Sequence, residues 1–441
     1  MKPNIIMIIC HDLGQHLSCY GNISVKTPNI DYIAEDGILF RNYFATSPLC
    51  SPSRGSIMTG RYPATTGFMG LVNRGWELSP EEKTLPAYLK ELGYSTYLFG
   101  FQHERRDPKS LGYDYVIGWY DPPHLARKIT PQVASFLEEK DIKEPFFACI
   151  GFFEVHRPWE IYKKVDPKIV KVPSYLPDDS NVREDLAMFY GSILETDYYV
   201  GRILEALRKS NREANTLLIF TTDHGIAFPR AKSTLYDTGI KTTLLLRWCE
   251  GGLKGGKVYD ELLSNVDLLP TLLDVLESDI PEVIQGKSFK GLLYDGNYSP
   301  RKEIFAQKDW HDIYDPMRCI RTERFKYIRN FVEGIWPYLP LPLDIEESLS
   351  RKALGDSHFL KLREKEELYD LKEDPDEFNN LANDTEYSHI LKELRDKLWN
   401  WMKENNDPIL KGPIPVPGRG FVQDPVPMFN NKKDEIVGKM I

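Results

Sequence analysis

Five apolar runs of strand length, Asn4–Cys10, 95–99, 145–152, Thr216–Thr222 and 242–248, alternate with helical patterns through the first two thirds of the chain. Runs apolar throughout belong to strands covered on both faces, and strands alternating with helices make an α/β fold with a largely parallel sheet. The helical stretches are 30–35, opened by Thr27-Pro28, then 84–92, 131–139 and 183–209. In such sheets chemistry gathers beyond the carboxyl ends of the strands. The sequence is therefore best searched there.

After Pro300 the texture changes. The stretch 314–331 reads as short antiparallel strands, Asp374-Pro375 as a turn, and 385–402 as a helix burying Ile390, Leu394, Leu398 and Trp401. Six prolines between Pro408 and Pro427 form an extended tail. The expected organisation is a large catalytic α/β domain over 1–300, a smaller C-terminal α+β subdomain over 301–407 and a surface tail over 408–441.

Composition excludes several classes. With 41% hydrophobic residues the chain can bury a large core and is not disordered. Its 56 Lys and Arg against 65 Asp and Glu give −9, which argues against a general nucleic-acid binder but not against an anionic substrate held by local cations. The first apolar run is far short of the ~20 residues that a membrane span needs, and no signal peptide precedes it. The sequence as written predicts a soluble cytoplasmic protein with no membrane partner. Its oligomeric state is not legible. None of the six cysteines forms a Cys-x-x-Cys pair, and five read as ordinary buried thiols.

Three strings carry the chemistry. His11-Asp12 follows the first run, as a metal-ligand pair or as a turn. Asp223-His224-Gly225 follows the run ending at Thr222, and two such pairs on parallel strands can converge on one divalent cation. The third is Cys50-Ser51-Pro52-Ser53-Arg54, with Thr59-Gly60-Arg61 after it. Pro52 places Cys50 at a helix N-terminus, where free N–H groups favour an anion, and Arg54 adds a guanidinium fork suited to a tetrahedral oxyanion. Read without a family, Cys50 would be a low-pKa thiolate nucleophile.

The Cys-x-Pro-Ser-Arg string with its Thr-Gly-Arg resembles the signature of the type I sulfatases of the alkaline phosphatase superfamily. The resemblance spans roughly residues 4–239 and weakens toward 398. It implies that Cys50 is oxidised by a maturase to formylglycine, whose hydrate is the nucleophile, and that Arg54 steadies it. It implies that Asp12, Asp223 and His224 hold one divalent metal with an oxygen of modified Cys50, and it leaves His11 as a further ligand. His103, in Gly100-Phe101-Gln102-His103, is similar to the family's histidine beside the formylglycine hydroxyl; His156 and Lys232 are similar to its sulfate and leaving-group residues.

The departures are specific. Phe101 stands where a sulfate-binding lysine is usual, leaving Arg105 or Arg106 to supply that cation. His11-Asp12 and Asp223-His224 replace Asp-Asp and Asp-Asn. Calcium is usual for the family, and an imidazole in the cage makes manganese plausible. The subgroup it resembles most is heparan N-sulfatase (N-sulfoglucosamine sulfohydrolase), through 220–229, Glu154-Val155-His156-Arg157 and Pro316-Met317-Arg318. That implies a small sulfated sugar as substrate, with Glu154, Arg157 and Arg318 lining its pocket. The same residues leave open a phosphonate monoester or phosphodiester hydrolase, and an inactive binding relative.

Overall fold

The computed structural model describes residues 2–331, 341–359, 364–415 and 417. An eight-stranded sheet runs, in spatial order, Lys257–Tyr259, Ile38–Phe40, Leu244–Arg247, Thr216–Thr222, Asn4–Cys10, Phe146–Gly151, Ser95–Gly100 and Tyr115–Ile117. The five strands from Thr216–Thr222 onward in that order are mutually parallel. Alternate residues of Asn4–Cys10 enter opposite cores. Ile6, Ile8 and Cys10 pack with the helices Pro28–Glu35, Ala126–Glu138 and Ser180–Lys209. Ile5, Met7 and Ile9 pack with Cys50–Thr59, Leu85–Glu91 and Leu268–Val275. Coverage on both faces is why this strand carries no polar alternation.

Two elements differ from the sequence expectation. The run 242–248 splits at Thr243: Lys241–Thr242 pairs in a small sheet with Tyr43–Phe44, and Leu244–Arg247 joins the large sheet antiparallel to Thr216–Thr222. Between those strands lie a loop, the four-residue helix Asp237–Ile240 and the strand Lys241–Thr242, and no long helix carries the chain back across the sheet as a parallel return usually requires. The helix expected from Pro131 starts instead at Ala126, with Pro131 inside it. Its first N–H is capped from a distance, by the Glu154 carboxylate at 2.8 Å.

Beyond residue 300, four antiparallel strands, Glu303–Trp310, Tyr314–Thr322, Phe325–Asn330 and Glu366–Asp370, form a second sheet. The helix Ser388–Glu404 lays Leu391, Leu394, Leu398, Trp401 and Met402 against Ile320, Tyr327 and Leu368 of that sheet. Glu303–Trp310 is hidden in the sequence by Gln307, Lys308 and Asp309, all buried and internally bonded, with Lys308 on Asp315 and Asp309 on Arg318. The first described part of the proline-rich tail packs here, Trp310 Nε1 donating to the Ile414 carbonyl at 3.0 Å. Residue 416 and everything from 418 on lie outside the described residues. Two of the five cysteines read as buried, Cys19 and Cys249, are only partly so. Among the described residues no helix is long and apolar enough to cross a membrane.

The end of the Phe146–Gly151 strand is crowded, since a Cβ on Gly151 would sit 1.8 Å from the Phe101 carbonyl oxygen. Gly151→Ala is therefore expected to destabilise the protein by about 1–3 kcal/mol, the cost of overpacking a site that must shift backbone. A denaturant midpoint equal to that of the unmodified protein would refute this.

Candidate active site

Asn4–Cys10 and Thr216–Thr222 are parallel neighbours in register from Asn4 with Thr216 to Cys10 with Thr222. Their next residues therefore leave the sheet at one level. Asp12 turns there in the left-handed region, at φ 48°, a conformation that short polar side chains tolerate better than most. Asp223 Oδ1 accepts the backbone N–H groups of Asp12 at 3.0 Å and His224 at 2.9 Å. Gly225 is required next to them: its N–H bonds the Gly239 carbonyl, and a Cβ there would meet the Thr238 carbonyl oxygen at 1.9 Å.

Cys50 is the first residue of the helix Cys50–Thr59, every residue of which is buried. Its N-cap, Leu49, offers no side-chain hydrogen bond to the free N–H groups. The serines of the motif are anchors. Ser53 Oγ donates to the Asp223 carbonyl at 2.5 Å and receives Asn265 Nδ2 at 2.9 Å, while Ser51 Oγ accepts Val72 N–H at 3.2 Å. These bonds bring the Cys50 Sγ to 3.1 Å from His224 Nε2 and 3.9 Å from Asp12 Oδ1. Burial pushes the Cys50 thiol well above its usual range, Lys232 opposing and Asp12 and Asp223 adding to the shift.

Lys232 Nζ donates to Asp12 Oδ2 at 2.8 Å and to Asp344 Oδ2 at 2.7 Å, and lies 3.2 Å from His156 Nε2. Burial works to lower this ammonium, but Asp12 and Asp344 outweigh it and hold it well above the usual lysine range. Burial, then Lys232, depresses His156 to about 4. Its Nδ1–H therefore donates to the Arg157 carbonyl at 2.5 Å, which leaves Nε2 to accept from Lys232. His11, Cys50, His103, His156, Lys232 and Asp344 all line one cleft of about 1010 Å³, with Phe101, Trp119 and Phe153 among its aromatic walls.

The Sulfatase family matches residues 3–278. The chain belongs to the sulfatase family. The family described as N-sulphoglucosamine sulphohydrolase, C-terminal, matches 224–348 and 352–404. An ulvan-active sulfatase of Formosa agariphila is 31% identical, over 96% of this chain and 86% of its own. The human N-sulphoglucosamine sulphohydrolase is 29% identical, over 93% and 92%. A solved structure in complex with its substrate D-glucosamine-2-N,6-O-disulfate shares the fold with a TM-score of 0.72 at 22% identity, covering 92% of this chain and 99% of that one.

Several residues expected at this sulfatase's pocket have other work. Arg318, fully buried, is saturated by Asp407 at 2.5 Å and Asp309 at 2.9 Å inside the C-terminal sheet. Glu154 is fully buried, capping Ala126 and accepting from Tyr162 Oη at 3.1 Å. Arg157 makes a two-pronged pair with Asp185 at 2.7 and 2.8 Å and lies 3.9 Å over the Trp159 ring. None of the three lines the cleft. Arg105 bonds the Leu78, Ser79, Glu82 and Ser110 carbonyls, so it cannot replace the lysine missing at Phe101; Arg106 stands exposed at the rim. Arg54 gives Nε to Asp223 Oδ2 at 3.0 Å and is 1% exposed, so its fork holds a carboxylate and not an incoming oxyanion. Conversely, the sequence reading missed Asp344 and Asn265. No pattern near either marks it, and only tertiary contact brings them in.

The donor set fits a divalent cation. Ligand atoms of His11, Asp12, Cys50 and Asp223 all lie within 4.8 Å of one another, every one of these residues buried. Burial depresses His224, and its Nδ1–H is spent on the Gly225 carbonyl, so a bare Nε2 lone pair faces Asp12 Oδ1 at 3.1 Å. Two lone pairs that close call for a cation between them. His11 Nε2 is buried without a hydrogen-bond partner among the described residues. Burial works to raise Asp12, yet Lys232, His156 and His224 together hold it well below the carboxylate range. Asp12→Asn should strip the bound metal and lower activity by orders of magnitude with the circular dichroism unchanged. Full metal occupancy by elemental analysis in that variant would overturn the ligand set.

Proposed function

We propose that this sulfatase removes the sulfo group from a terminal sugar, N-sulfated glucosamine first and O-sulfated sugars second, using formylglycine made from Cys50 and one divalent cation held by Asp12, Asp223, His224 and His11. The observation that carries the reading is the setting of Cys50. A thiol 3% exposed, with its ionisation suppressed by burial and two carboxylates, is a poor thiolate nucleophile. Oxidised and hydrated, the same residue supplies two hydroxyls on one carbon, one to attack sulfur and one to expel sulfate; the cation supplies Lewis acidity beside them.

The chain's own groups fit the remaining tasks. Lys232 presents an ammonium to the sulfo oxygens, which is preorganised electrostatic stabilisation. Lys232 and His156, already sharing a proton-bearing contact at 3.2 Å, hand a proton to the leaving nitrogen or oxygen. His103 lines the cleft, and burial keeps its imidazole neutral, with Nδ1 unpartnered among the described residues, so it can act as the base for the second step. Arg54 holds Asp223 in place.

The choice of sugar draws on the match of 224–348 and 352–404 to the N-sulphoglucosamine sulphohydrolase C-terminal family and on the relatives' names. A cleft of about 1010 Å³ is at the upper end for a small-molecule site and suits one or two sugar rings.

The test pairs mass and turnover. Protein made with a co-expressed maturase should show a loss of about 18 Da on the Cys50 peptide, by the mass logic of replacing SH with an aldehyde oxygen. Release of sulfate from N-sulfoglucosamine should scale with that modified fraction, and Cys50→Ala should be inactive in every host. Activity that persists as the fraction goes to zero, or turnover of an aryl phosphonate in preference to every sulfated sugar, would reject the proposal.

A further inference from the structure

We infer that Asp344 is a specificity-determining residue: its free carboxylate oxygen selects substrates that carry a hydrogen-bond donor next to the sulfo group and rejects those with a second anion there. This rests on the sulfatase reading of the cleft and deepens it.

Asp344 lines the cleft on the short helix Leu343–Glu346. The helix is fixed at both ends of its first turn. Leu343 N–H donates to Asp312 Oδ2 at 2.8 Å, and Ile345 is fully buried. Asp312 is itself held by Arg74 at 2.7 Å and His311 at 2.8 Å. Asp344 is thus presented to the cleft by a rigid support.

Its two oxygens differ. Oδ2 accepts from Lys232 at 2.7 Å and stands 3.6 Å from His156 Nε2, so the carboxylate borders the groups that face sulfur and the leaving atom. Oδ1 is shielded from solvent and has no hydrogen-bond partner among the described residues. An unsatisfied buried acceptor costs free energy, more so on a charged group, and calls for an explanation. Turned toward the cleft that Asp344 lines, this oxygen would be completed by a donor on the substrate beside the scissile bond, a hydroxyl or an amine.

The charge balance sets the other half of the selection. Among the described residues, the Lys and Arg side chains lining the cleft are those of Arg74, Arg106 and Lys232. Arg74 is committed to Asp312, and Lys232 to Asp12 and Asp344. Arg106 stands at the exposed rim, and Phe101 occupies a wall position with no charge. Among the described residues, the one lining cation paired with Asp344 is Lys232, which Asp12 already shares, so no uncommitted cation is paired with this carboxylate to receive a second anion. A vicinal sulfate would meet the carboxylate in a partly desolvated cleft, where like charges repel strongly.

Three aryl sulfates isolate this point: phenyl sulfate has no neighbouring group, catechol monosulfate has an ortho hydroxyl, and catechol disulfate has an ortho anion. Sulfate release by ion chromatography gives kcat/KM for each. The protein with modified Cys50 should rank monosulfate above phenyl sulfate above disulfate, each step about tenfold, the scale of one hydrogen bond to a charged group. In Asp344→Ala the three should fall within about threefold of one another. Asp344→Asn keeps an acceptor without the charge, so it should retain preference for the hydroxyl and admit the disulfate. Wild-type ratios in both variants would overturn the assignment, as would an equal loss on all three substrates in Asp344→Asn, which marks a purely structural role. Because the probes are not sugars, these ratios read Asp344 separately from the sugar assignment, which turnover of N-sulfoglucosamine tests by itself.

Discussion

Asp223 is the point on which the site depends. Its carboxylate takes the N–H groups of Asp12 and His224 on one oxygen and Arg54 Nε on the other, with His11 Nδ1 at 3.0 Å. Its carbonyl takes Ser53 Oγ. Two strand ends and one helix N-terminus, separated by up to 211 positions in the chain, are tied by one buried residue. Burying the Asp223–Arg54 pair costs desolvation, and losing either partner leaves the other charged and unpaired in the core. The pair is better understood as fixing geometry than as adding stability.

Around that tie, charge is distributed economically. Arg54 is consumed behind the carboxylates, where its guanidinium also lies 5.2 Å from the Phe101 ring, and His11 packs edge-on to the same ring at 4.4 Å. Phe101 thus braces two members of the cluster in a position where the family resemblance implies a cation. Lys232 then carries the positive field of the cleft floor, in company with two carboxylates and a neutral histidine.

Much of this was legible in the sequence because it is local. Continuous apolar runs marked Asn4–Cys10 and Thr216–Thr222, and the residues just after them, Asp12, Asp223 and His224, converge as parallel register requires. The Cys50 string marked its own helix. What failed was partnership across the chain. Arg157, Arg318 and Glu154 looked like pocket residues because a charged side chain shows no partner in one dimension; Asp185, Asp407 and the Ala126 N–H lie 28 to 89 positions away. Asp344 was invisible for the mirror-image reason. Nothing around it in sequence signals that its neighbour in space is a lysine 112 positions earlier.

The burial of Cys50 bears on when the protein can become active. Residues 50–59 are all buried, and Ser51, Ser53 and Arg54 are bonded to Val72, Asp223 and Cys10. An enzyme that must grip this segment as an extended strand finds nothing to grip once the sheet has closed. If Cys50 is oxidised by such an enzyme, as proposed above, that oxidation and the collapse of the chain would be competing processes. A molecule that folds first keeps a thiol sealed in its site, complete in every other respect. On the formylglycine reading, the active fraction of a preparation would record a race run before the structure existed.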